Sequence, residues 1–318
     1  MALKTQALIA AILAAAAGAA QADGSSELYA CYDALNSGDN AAAIVACDRA
    51  IESGDLSDDA LAVAFTRRSI ADRNLQRYDD ALADCTRAVA HRADDRAAQF
   101  ACGNAHGSKG DYAAALQSFG RAIALGPDQP DAYNGRGNIY NQTGDFTRAL
   151  ADVDAALHLS PHYVWAQINR GIALFGLSRF AEAADEFDAA ASSDPQNAYA
   201  VLWSVIAHSR AGEDAHMNLV ASVLVLDLDV WPGPIVKDYQ LELAPLAPVI
   251  SPERPAVALE PRPGEQCETV FYDAELDLLK GKPDIAKPKL QEAADTCPKT
   301  YIEHAAALAE LRRLSGPE

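Results

Sequence analysis

Three stretches decide the fold: GDYAAALQSFGRAIALGPDQP (residues 110–130), GDFTRALADVDAALHLSPHYV (144–164) and SRFAEAADEFDAAASSDPQNA (178–198). Each begins 34 residues after the one before, and the landmarks keep step. Ala115, Ala149 and Ala183 recur at that spacing, as do Pro127, Pro161 and Pro195. A polar turn opens each stretch, a run of good helix formers follows, and a proline closes it. Proline lacks the N–H a helix needs and clashes with the preceding turn. This period predicts stacked helical hairpins, none of which buries its apolar face alone.

With proline at position 32, units run over 96–129, 130–163 and 164–197. Stepping back gives 62–95 and then 24–57, with a four-residue insert between them. Position 8 is small in all five units (Cys31, Ser69, Gly103, Gly137, Gly171), and positions 20 and 27 are alanine throughout. Small residues there let the two helices of a hairpin touch. Position 7 is Arg68, Arg136 and Arg170 in three units, and position 23 is then acidic: Asp84, Asp152 and Glu186. The two units without the arginine also lack the acid, with Ala30 and Ala46 in one, Cys102 and Ser118 in the other. That concerted change predicts an ion pair inside each hairpin. In spacing and residue types the array resembles the tetratricopeptide repeat (TPR). The resemblance implies an all-α helix-turn-helix solenoid, wound as a right-handed superhelix and spanning residues 23–197.

Residues 1–22 read as a secretory signal peptide: Lys4, an apolar run from Ala7 to Ala19, then Ala20-Gln21-Ala22 before polar residues. No cysteine stands at the cleavage point, and Cys31 is too far downstream to carry a lipid. The expectation is a periplasmic protein that is neither a lipoprotein nor membrane-spanning. The net charge of −19 disfavours nucleic acid as a partner.

After residue 197 the pattern fades. Residues 198–211 read as another first helix, and 213–226 as a helix without the alanine landmarks. Trp231-Pro232-Gly233-Pro234 breaks the chain, and 198–264 ends in an irregular connector carrying Pro245, Pro248, Pro252, Pro255, Pro261 and Pro263. Residues 265–318 recover the register in a unit starting at Cys267, with Asp273 and Lys289 as the same pair with charges exchanged, and a capping helix from Tyr301 to Leu314. Phe271-Tyr272, Gly281, Ala286, Ala293, Tyr301-Ile302-Glu303-His304 and Ala307 to Leu311, with Trp231 and Ile235 upstream, resemble the C-terminal part of NlpI-type periplasmic TPR proteins. That resemblance implies a homodimeric envelope scaffold that brings a protease together with peptidoglycan hydrolases.

The six cysteines allow fifteen pairings. The register makes Cys31–Cys47, Cys85–Cys102 and Cys267–Cys297 geometrically sensible, and the other pairings stay open. No C-x-x-C, H-E-x-x-H, P-loop or G-x-S-x-G is present, so the reading names no metal, no cofactor and no catalytic residue. In TPR arrays, positions 2, 5, 9, 12 and 13 of the first helix line the groove. Carried over, they give Phe100 and Asn104, then Asn134, Asn138, Asn141 and Gln142, then Trp165, Ile168, Ile172 and Phe175. Amides beside an apolar patch suit an extended peptide or helical segment of a partner protein. The alternative is that some of these pack against the proline-rich segment or the tail. The function expected is a protein-binding scaffold or adaptor. A secretion or assembly factor, or an enzyme with its site in 198–265, are the rivals.

Overall fold

The computed structural model describes residues 23–213, 219, 224–243 and 263–316. The leader sequence, most of the helix expected over 213–226 and nearly all of the proline-rich connector lie outside the described residues. Among those described, all regular structure is helical.

Ten helices pair into five hairpins. These are α1 (Gly24–Asn36) with α2 (Asn40–Glu52), α3 (Asp58–Asn74) with α4 (Tyr78–His91), and α5 (Arg96–Lys109) with α6 (Tyr112–Leu125). Then come α7 (Pro130–Gln142) with α8 (Phe146–Leu159), and α9 (Val164–Gly176) with α10 (Phe180–Ser193). Next are α11 (Ala198–Ala211), α12 (Gly233–Leu243), α13 (Pro263–Leu279), α14 (Pro283–Thr296) and α15 (Ile302–Ser315).

The Gly-Asp signature has a backbone cause. Gly38, Gly110 and Gly144 adopt φ of 80°, 78° and 76°, which ends the first helix. The following Asp39, Asp111 and Asp145 cap the second, accepting from the backbone N–H of Ala42, Ala114 and Arg148 at 2.9, 3.3 and 3.2 Å. Two hairpins lack the glycine, and Gln76 and Ser178 take the left-handed conformation instead at φ of 61°.

Position 7 does more than pair within its hairpin. Arg68 grips Asp84 through two hydrogen bonds of 2.6 and 2.7 Å, and Arg136 grips Asp152 through two of 2.7 Å. Arg170 bonds Glu186. Arg68 also bonds Asp48, and Arg170 bonds Asp154 at 2.6 Å. Those two acids sit at position 25 of the hairpin before. The guanidinium therefore ties three helices together, the use for which its fork is suited. In the C-terminal hairpin Lys289 lies 3.9 Å from Asp273, but its hydrogen bond of 2.7 Å goes to Asp277. The cysteines pair as Cys31–Cys47, Cys85–Cys102 and Cys267–Cys297, with Cα atoms 5.2, 5.3 and 5.1 Å apart.

The chain divides into two compact units at Gly126/Pro127, inside the array rather than at 197/198 where the repeat pattern fades. The reason lies in the second unit's core. Trp203 of α11 packs on Phe175, Phe187, Phe271 and Tyr272, with ring centroids 5.2 to 6.3 Å apart. One continuous apolar cluster therefore runs from α9 and α10 through α11 and α12 into α13, α14 and α15. The weak pattern after 197 hides a fully shared core.

Two stability changes follow. Gln76→Gly removes the left-handed penalty and raises unfolding stability by about 1 kcal/mol. Arg136→Ala strands the buried Asp152 carboxylate and lowers it by about 2 kcal/mol. Urea unfolding followed by circular dichroism checks both.

Candidate functional site

The expected groove belongs to the first helix of each hairpin. Phe100 and Asn104 lie on α5 in the first unit, half-buried, with the Phe100 ring 5.7 Å from that of Phe119. The other eight lie on α7 and α9 in the second unit. There the structure separates the two ends of each helix.

At the N-terminal end the face is open. Trp165 is 63% exposed. Asn134 and Asn138 are half-buried, and Asn134 Oδ1 accepts from Asn169 Nδ2 at 2.8 Å. Tyr163 donates to Asp131 at 2.8 Å across the same two hairpins, and burial pushes its phenol up, the nearby Asp131 adding to it. Ile168 is half-buried against the core. The amide row is thus cross-braced, and an indole stands free beside it.

At the C-terminal end the expectation fails. Asn141 is fully buried and donates to the Asn169 carbonyl at 2.8 Å. Ile172 and Phe175 belong to the core cluster, not to an open face. Gln142 Nε2 donates to the Thr300 carbonyl at 2.9 Å, so the amide is already spent on the tail. The physical cause is α15, which folds back onto these helix ends. Arg313 donates to the Phe175 and Gly176 carbonyls at the end of α9 and to Ser178 Oγ at 2.9 Å. Positions 12 and 13 of α7 and positions 9 and 12 of α9 are closed by the chain itself, while positions 5 and 9 of α7 and 2 and 5 of α9 remain.

The sequence reading passed over a set of buried carboxylates in the C-terminal hairpin and cap. Glu268 accepts from Tyr199 at 2.8 Å and from Trp231 Nε1 at 2.7 Å. Burial raises its pKa against those bonds. Glu303 accepts from Tyr272 at 3.0 Å, and its carboxyl is pushed up to about 7 by burial and then by Glu268. Arg210 lies 3.4 Å from Glu275 and 2.9 Å from Glu310, and Arg313 also holds Glu310. Burial and the Glu310 charge raise Glu275. On α11, His208 sits between Asp188 at 2.9 Å and Glu213 at 2.7 Å. Burial opposes its charge, but those two hydrogen bonds outweigh it and raise its pKa. Such clustering in 198–265 and beyond is what an enzyme reading would look for, yet each group is tied to a named internal partner and packs the helices together. One signal for the helix-tying acids was available: Asp48, Asp154 and Asp188 share position 25. Among the described residues, no group of three His, Cys, Asp or Glu side chains could hold a metal ion, and no helix is long and apolar enough to cross a membrane.

Residues 101–164 and 168–215 match the tetratricopeptide repeat family. No curated protein matches the chain. Among solved structures, it resembles PilF of Pseudomonas aeruginosa at 17% identity and a TM-score of 0.57, over 69% of this chain and 97% of that one. A tetratricopeptide repeat protein from Parabacteroides merdae matches at 14% identity and a TM-score of 0.53, over 90% and 98% of the two chains. A thermophilic one from Thermus thermophilus matches at 17% and 0.50, over 58% and 98%. These likenesses are of fold. Together with the hairpins and their register they define the fold class, an all-helical repeat array. Over the matched residues the chain is built of tetratricopeptide repeats.

The raised carboxylates and His208 set a pH dependence. A carboxyl with a raised folded pKa holds its proton longer in the folded chain, so its contribution declines as pH rises from the ordinary 4.5 to the folded value, about 7 for Glu303. His208 contributes below its ordinary 6.5 and loses that contribution as pH climbs through its raised value. Both act in one direction. The second unit, which holds all three tryptophans, is therefore less stable at about pH 8 than at about pH 5. Its urea midpoint, read by tryptophan emission, falls accordingly.

Proposed function

We propose that the chain is an exported protein-binding adaptor whose docking face is the open, N-terminal end of α7 and α9. One observation carries this reading. Trp165 is 63% exposed beside a braced row of asparagines, while the closed end of the same face already holds the Thr300 carbonyl through Gln142. A large exposed indole costs the free protein solvation and suits a partner anchor. The neighbouring amides suit the backbone of an extended segment.

Residues 1–22 read as a leader for export, and the three cystine pairs suit an oxidising compartment such as the periplasm. The resemblance of the tail to NlpI-type proteins favours envelope proteases or peptidoglycan hydrolases as the clients, held together on one protein to raise their effective concentration. The role is binding rather than catalysis.

The test is affinity capture from the native envelope extract with the tagged, exported protein and with the Trp165→Ala/Asn138→Ala variant. The wild type enriches an envelope enzyme, and the variant binds that purified enzyme at least about tenfold more weakly with an unchanged melting curve. Equal binding by the variant overturns the placement of the site.

A further inference from the structure

A cavity lies in the first unit, between α2, α3 and α4. Position 11 of units two to five is held by Asp72, His106, Tyr140 and Leu174. At this register Leu174 is fully buried and fills its space. Asp72 is only 4% exposed, and it helps to line a cavity of about 250 Å³ among those three helices.

The charges around that cavity do not balance. Its lining carries four aspartates and three arginines, a net −1 when all are ionised. Two of the aspartates are satisfied: Asp84 takes both bonds from Arg68 and a third from Arg87 at 3.3 Å, and Asp48 takes the remaining Arg68 contact. Asp72 has Arg77 at 3.8 Å, outside hydrogen-bond range, and Arg68 acts on it through its charge alone. Asp80 stands exposed at the rim. Burial, and then the charges of Asp84 and Asp80, push the Asp72 carboxyl up to about 6, more than Arg68 and Arg77 offset.

Fold stability gives no reason for this arrangement. An aspartate inside a helix has poor propensity, and a buried carboxyl without a hydrogen bond costs free energy that a leucine there would not. What the site lacks is a cation that donates to Asp72, since Arg77 stops 3.8 Å short and Arg68 and Arg87 are bonded to Asp48 and Asp84.

We propose that this cavity receives an arginine side chain of a partner protein, its guanidinium donating to Asp72 and Asp80. The volume suits one side chain better than a whole small-molecule ligand. A planar fork serves two carboxylates at once, as an ammonium does not. The chain's net charge of −19 draws a cationic partner toward it. Binding couples to the proton on Asp72. The other charged groups facing it are Asp48 from α2, Arg68 on its own helix, Arg77 from the turn, and Asp80, Asp84 and Arg87 from α4; α1 and α5 contribute none to the lining.

The probe is acetyl-Ala-Arg-Ala-amide, with acetyl-Ala-Gln-Ala-amide as control, titrated into the full chain and followed by the ¹³C shift of the Asp72 carboxyl. The arginine peptide moves that signal and the glutamine peptide does not. Its affinity falls about tenfold between about pH 7.5 and about pH 5, because protonating a group with a pKa near 6 removes the charge. Asp72→Asn abolishes both the binding and its pH dependence. Should that variant unfold, Asp72→Leu, which places at this register the residue Leu174 supplies elsewhere, keeps the fold and still abolishes binding. An unmoved Asp72 signal, equal binding by Asp72→Leu, or an affinity indifferent to pH overturns the proposal. None of these readouts involves the face on α7 and α9, so the two sites stand or fall separately.

Discussion

The close approach of the two helices in each hairpin is the constraint from which the rest follows. A Cβ added at Gly103, Gly137 or Gly171 would lie 2.7, 2.8 and 2.7 Å from Phe119, Val153 and Phe187. No side chain larger than the hydrogen of glycine leaves those aromatic and branched neighbours in place. Because the helices touch there, position 7, one residue earlier, lies within reach of position 23 on the facing helix and of position 25 in the hairpin before. Because every hairpin repeats that contact, the first helices stack in step within each unit. Their N-terminal ends then bring Asn134, Asn169 and Tyr163 into register across two hairpins.

The same contact is secured by different chemistry in different hairpins. Where Ala30 and Ala46 replace the ion pair, Cys31 and Cys47 at positions 8 and 24 are joined instead. In the third hairpin Cys102 occupies position 7 itself and reaches back to Cys85, at position 24 of the second. A guanidinium clamp acts on the folded state and answers to pH and salt. A cystine acts mainly by restricting the unfolded chain, at about 3 kcal/mol for loops of this size in the entropic picture. The first and third hairpins of the array therefore couple their stability to redox conditions at joints where the second, fourth and fifth rely on charge.

The 34-residue period made the hairpins, their turns and their internal ion pairs legible, because each is a local matter of residues at most one repeat apart. The groove was legible only in part. Asn134, Asn138 and Trp165 stand on the face that the register assigns them. Asn141, Gln142, Ile172 and Phe175 sit on the same face by register, but Asn141 is bonded to α9, Ile172 is in the core, and Gln142 and Phe175 are held by the tail. Gln142 and Thr300 are 158 residues apart, and no periodicity reports such a contact. The shared core of 198–316 was hidden for a similar reason: Trp203 joins two hairpins that the repeat pattern treats as strangers. Asp72 was readable in principle, as an acid at a position that its neighbours give to larger side chains.

The tail's hold on the array bears on how this protein can change length. Thr300 is held by α7, while Arg313 is held by the end of α9, one hairpin further on. A single segment thus spans two successive repeats like a gauge. Duplicating or deleting a repeat between those points would displace one anchor from the other by roughly a helix diameter, about 10 Å, and no side-chain adjustment bridges that. Repeat families ordinarily evolve by gaining and losing units. In this chain such drift is free only upstream of α7, and the last hairpins are held to a fixed number.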